Sequence, residues 1–79
     1  MKTAKEMFEE LGYELFEEKD SRYITYVYHY RYIIRFDLIM QNFYAYEDNM
    51  DMSYIGVDMK TLQAINKQVK ELNWLKEEI

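Results

Sequence analysis

Hydrophobic and polar positions repeat along this chain with two different periods. Ala4, Met7, Phe8 and Leu11 fall at i, i+3, i+4 and i+7, with Lys5, Glu6, Glu9 and Glu10 on the other side, which is the spacing of one helix face. Thr3 followed three residues later by Glu6 forms a capping box that satisfies free N–H groups at a helix start, and Gly12 suits the left-handed stop after it. The pattern predicts a helix over 4–11. From Tyr13 the period falls to two and β-formers dominate, which predicts strands over 14–18, 23–29, 32–37 and 43–46. Asp20 and Ser21 mark one turn and Gln41-Asn42 another. The join at Tyr30-Arg31 has no Gly, Asn or Pro, so a turn there competes with one long bent strand.

A second helix follows. Asp58 is placed to cap it, and Leu62, Ile65, Val69 and Leu72 repeat with three-four-three spacing, a stripe that must be buried. Asn73 tolerates a left-handed stop, after which Trp74 folds back on the last turn. One domain over residues 1–79 accommodates all of this as an α+β fold. It is an antiparallel meander of three or four strands with the N-terminal and C-terminal helices packed on one face, in the order α-β-β-β-β-α.

The other face of such a sheet stays uncovered. Ile24, Tyr26, Tyr28 and Tyr30 share one parity, and Tyr23, Thr25, Val27 and His29 the other; neither is cleanly polar. Whichever face takes the helices, the other shows several aromatic rings. Tyr26, Tyr28 and Tyr30 are the expected interaction residues, because tyrosine gives interface cores large area with a polar end. Leu38, Ile39 and Met40 join them, as three apolar residues beside a turn form a contact-prone tip. The plain alternatives are that the tyrosines are cross-strand strand formers and that the tip belongs to the core. A homodimer is one form such an association takes.

Composition narrows the chemistry. The chain has 79 residues, no Cys, no Pro and two Gly, which leaves no disulfide, thiolate metal site or Cys nucleophile and fits a reducing cytoplasm. Two glycines are too few for a Walker loop or a GxGxxG turn. No secretory signal and no apolar run of about 18 residues is present, so a membrane span is not expected. Nine Tyr and four Phe argue against disorder.

The net charge is −5, unevenly placed. Residues 1–20 hold three Lys against seven acids and residues 47–58 hold four acids and no base, while residues 21–46 hold three Arg against Asp37. An acidic total disfavours direct nucleic-acid binding. It fits better with Glu47, Asp48, Asp51 and Asp58 forming an acidic patch that imitates a phosphate backbone in a partner's basic groove. Glu47, Asn49, Asp51, Ser53 and Asp58 also have the spacing of a calcium loop, but Met52 stands where the sharp turn needs Gly; no metal or cofactor is expected. His29 is the only imidazole, and no motif supplies it with an orienting partner. Ser21 and Ser53 lack a GxSxG elbow. Glu14 and Glu18 alternate away from Glu17, and no enzyme activity is expected.

The opening Thr3-Ala4-Lys5-Glu6-Met7-Phe8-Glu9-Glu10-Leu11-Gly12-Tyr13 and the closing 62–74, from Leu62 to Asn73-Trp74, resemble small uncharacterised proteins encoded by phages and prophages of low-GC Gram-positive bacteria. Such proteins end the C-terminal helix in Gly-Trp, where Asn73 stands here. The resemblance implies an origin and a fold, and no catalytic residues. The functional expectation is a cytoplasmic, non-enzymatic phage accessory protein that binds a host or phage protein, or itself. The alternative is an acidic anti-defence inhibitor or nucleic-acid mimic.

Overall fold

Helix α1 (Ala4–Glu10) starts where the capping box predicts: the Thr3 side chain accepts from the Glu6 N–H while the Glu6 carboxylate accepts from the Thr3 N–H. A computed structural model describes residues 1–16, 22–48 and 55–75. In them α1 is followed by β1 (Glu14–Phe16), β2 (Tyr23–Tyr28), β3 (Tyr32–Asp37), β4 (Asn42–Glu47) and α2 (Met59–Glu71). The strands form one antiparallel sheet in the order β1-β2-β3-β4, so the architecture is the α-β-β-β-β-α arrangement that the periodicity predicts. The Asp20-Ser21 turn and residues 17–18 of the first predicted strand lie outside the described residues.

Both helices stop by the same device. In α1, Gly12 takes φ 96°, its N–H donates to the Glu9 carbonyl, and the Tyr13 N–H reaches back to the Phe8 carbonyl at 3.0 Å. In α2, Asn73 takes φ 60°, its N–H donates to the Lys70 carbonyl, and the Trp74 N–H reaches the Val69 carbonyl at 3.2 Å. These are Schellman closures, which satisfy the last carbonyls and turn the next residue inward. In each case that residue is aromatic, and Tyr13 and Trp74 both pack against the core.

The core lies between the two helices and one sheet face. Phe8 stacks on Tyr26 with centroids 4.0 Å apart and meets Phe36 edge-on; Ile34, Ala64, Ile65 and Val69 complete the cluster. Strand register puts Leu15, Tyr26, Ile34 and Ala45 in one row on this face and Ile24, Phe36 and Phe43 in the next. The helices run antiparallel: the Ala4 N–H donates to Glu71 at one end, and Tyr13 lies close enough to Asp58 at the other to feel its charge.

Two expectations change, and an open one is settled. The buried stripe of α2 is Thr61, Ala64, Ile65, Gln68 and Val69, one position round from the predicted one. Leu62 sits at its exposed margin, while the buried Gln68 finds a polar partner in Tyr26 of the sheet. The Tyr30-Arg31 join is a tight turn, as the separate strands over 23–29 and 32–37 predict. His29 and Tyr30 take φ 52° and 57°, and the Arg31 N–H closes on the Tyr28 carbonyl at 3.1 Å. Positive φ at both central residues matches the twist of a two-residue hairpin turn. Finally, the Gln41-Asn42 turn begins earlier. Asp37 accepts from the Ile39 and Met40 N–H groups, and Gln41 takes the left-handed φ of 56°.

Candidate interaction surface

Strand alternation decides which rings are available. With Leu15, Ile24, Tyr26, Ile34 and Phe36 under the helices, the opposite face carries three cross-strand rows: Glu14, Val27, Ile33 and Tyr46; Phe16, Thr25, Arg35 and Tyr44; and Tyr23, Asp37 and Asn42. Tyr26 is 2% exposed and belongs to the covered face. Tyr28 is half-buried on that same face, between Tyr13 and Tyr32. Of the three predicted tyrosines only Tyr30 is displayed, at 92% exposure, on the β2–β3 turn.

Along the face opposite the helices, where Thr25 and Ile33 are buried and Phe16 and Tyr44 are exposed, runs a groove of about 500 Å³. Val27 and Ile33 form its floor, Phe16, His29 and Tyr30 stand on its walls, and Arg35 brings a charge to it. Phe16 is 57% exposed, and Tyr44, beside Arg35 in the same row, is 41% exposed. Exposed aromatic rings around an aliphatic floor, with an arginine among them, have the composition of an interface core. The turn that carries Tyr30 is also strained, since a left-handed conformation costs a side-chain-bearing residue about 1–2 kcal/mol. Such outliers concentrate at functional sites.

Electrostatics tie this face to the apolar tip. Arg35 Nε donates to the Thr25 hydroxyl at 3.2 Å, and its guanidinium lies 4.9 Å from the Tyr23 ring centre. Arg22 approaches the same ring to 5.2 Å. It also grips Asp37 with both arms, Nε to Oδ1 at 3.1 Å and Nη2 to Oδ2 at 2.9 Å. These hydrogen bonds and the amides of Met40 and Ile39 hold the Asp37 carboxyl below its ordinary value. The same amides fix the tip, on which Ile39 and Met40 are exposed while Leu38 is partly buried and hydrogen-bonded to Arg22.

Of the four expected acidic residues, Glu47, Asp48 and Asp58 are described. Glu47 pairs with Arg31. Asp58 caps α2, accepting from the Thr61 N–H at 2.8 Å, and the hydrogen bonds to Thr61 lower its pKa. Asp48 is exposed at the groove margin; Asp51 lies outside the described residues, as do Asn49 and Ser53 of the calcium-like spacing. Among the described residues, no group of three His, Cys, Asp or Glu is arranged to hold a metal ion, and no helix is long and apolar enough to cross a membrane. His29 meets Tyr28 edge-on at 4.1 Å, with no carboxylate in ion-pair range among the described residues.

No protein-family model, curated protein or solved structure matches the chain. Phe16, Arg35 and Tyr44 are the surface residues that the sequence reading does not single out. Their signal is present: once the strands are aligned, Glu14, Thr25, Arg35, Asp37 and Asn42 fall on one parity, and the residues between them are apolar or aromatic.

Proposed function

We propose that this chain is a non-enzymatic accessory protein of the phage or prophage type, acting by association with another protein through the open sheet face. The observation that carries this reading is the strained His29-Tyr30 turn, which displays Tyr30 beside a groove floored by Val27 and Ile33 and flanked by exposed Phe16. Aromatic residues and arginine account for most of the energy in interfaces of this kind, and this face carries exposed Phe16 and Tyr44 beside Arg35. The Ile39-Met40 tip, tethered to that face through Asp37, Arg22 and Tyr23, extends the same surface.

The test compares the wild type with a Phe16→Glu, Tyr44→Glu variant, whose fold is checked by circular dichroism. Light scattering after size exclusion reads self-association, and affinity capture from a low-GC Gram-positive lysate reads a host partner. A wild-type dimer or captured protein that persists in high salt and disappears in the variant supports the reading. A monomer that captures nothing sensitive to these substitutions sinks it. Capture that fades as salt rises points instead to the exposed acids and an inhibitor that fills a basic groove.

A further inference from the structure

On the opposite side of the molecule, the helix pair brings together charges that the sequence keeps far apart. Lys60, Lys67 and Lys70 lie on α2 at spacings of seven and three residues, so they form one stripe along a helix face. Across from this stripe stand Met7 of α1, its C-cap Leu11, and Lys2 just before its N-cap. Together these residues line a cleft of about 750 Å³ between the helices. Four of the seven lysines of an acidic protein therefore face one cleft. Among the described residues its single acid, Glu10, is already bound to Lys2 at 2.7 Å. Among the described residues no carboxylate lies in ion-pair range of Lys60, Lys67 or Lys70.

We infer that this cleft is a second docking site, independent of the open sheet face, for an acidic peptide segment of a partner protein. Charge complementarity selects an acidic occupant: a local excess of lysine on a chain of net charge −5 steers a short anionic segment. The floor selects a peptide over nucleic acid. Met7 and Leu11 accept an aliphatic side chain, methionine adapting its shape to the guest. Among the described residues no aromatic ring lines the cleft, whereas single-stranded nucleic acid is held by stacking on such rings. The arrangement matches a groove that takes an amphipathic acidic segment, with apolar anchors between the helices and carboxylates along the lysine stripe.

The probe is a fluorescein-labelled acidic peptide with leucines at i, i+3, i+4 and i+7 and glutamates between them, followed by anisotropy. Saturable binding is expected. It should weaken about tenfold or more in a Lys60→Gln, Lys67→Gln, Lys70→Gln variant, whose helix propensity is almost unchanged. A similar loss is expected when the peptide's leucines become serines, and none in the Phe16→Glu, Tyr44→Glu variant. Four outcomes would each overturn the inference: no saturable binding; equal binding of the serine peptide; tighter binding of a single-stranded oligonucleotide of the same charge; or loss in the sheet-face variant.

Discussion

The Tyr26 hydroxyl donates a 2.7 Å hydrogen bond to Oε1 of Gln68, joining β2 to α2 inside the core across forty-two positions of sequence. Both groups are buried, so each depends on the other for its partner. Tyr26→Phe strands the Gln68 carboxamide and should cost about 1–3 kcal/mol, the penalty of an unsatisfied buried polar group. Adding Gln68→Leu removes the stranded group and should restore part of that loss. Urea unfolding of both single variants and the double variant measures it, and a fully additive result would contradict the pairing.

The same hydroxyl, together with the partly buried Tyr13 phenol, lowers stability at alkaline pH. Burial, aided by the charges of Glu71 and Glu9, pushes the Tyr26 phenol up to about 12 from an ordinary 10.0. Below pH 10 the phenol is neutral whether the chain is folded or not. Above it the unfolded chain releases a proton that the fold retains, so stability falls as pH rises from about 10 to about 12. At the acid end the signs reverse. Hydrogen bonds from Arg22, Thr61 and Thr3 lower the pKa values of Asp37, Asp58 and Glu6. Their contribution is complete above their ordinary values of 3.8 to 4.5 and is lost as pH drops through the lowered ones. Denaturation midpoints across pH should form a plateau with both shoulders, and Tyr26→Phe should shrink the alkaline one, leaving the part that comes from Tyr13.

The two helix stops respond in opposite ways to substitution. At Gly12 an added Cβ would lie 2.7 Å from the Tyr28 ring, at φ 96°. Gly12→Ala should therefore destabilise by about 1–2 kcal/mol or more. Asn73 holds the equivalent φ of 60° at some cost, and Asn73→Gly should raise stability by up to about 1 kcal/mol. Thermal melts of the two variants give the comparison.

Relieving the β2–β3 turn should separate stability from association. His29→Asn with Tyr30→Gly installs the pair that such hairpin turns prefer and should stabilise by about 1–2 kcal/mol. It also deletes the exposed Tyr30 ring, so partner capture should weaken as the melting temperature rises. A variant that melts higher and associates unchanged would remove Tyr30 from the interface.

Local signals in the sequence reveal most of this fold. Capping by Thr3 and Asp58, the stops at Gly12 and Asn73, and the change of period at Tyr13 are each written within a few residues, and the structure follows them. What alternation within β2 alone could not decide was its direction, since tyrosines occupy both parities. The choice depends on register: Tyr26 pairs with Ile34, which pairs with Ala45, while Thr25 pairs with Arg35. Comparing strands shows the polar parity that a single strand hides. The 29–30 turn is illegible for a different reason, because it holds side chains where glycine is preferred. The lysine cleft was hidden by distance, with Lys2 and Lys70 at opposite ends of the sequence.

Because each strand pairs with its neighbour in sequence, the sheet can zip up hairpin by hairpin, with small loops to close at each step. The helix pair is the exception: the Ala4–Glu71 bond closes a loop of sixty-seven positions. Folding should therefore run from the middle outward, with α1 and α2 docking last. During synthesis the hairpins leave the ribosome before α2 does, and Tyr26, Ile34 and Phe36 then lack part of their cover. The interval before that helix arrives is when the chain is most open to aggregation or to chaperone capture.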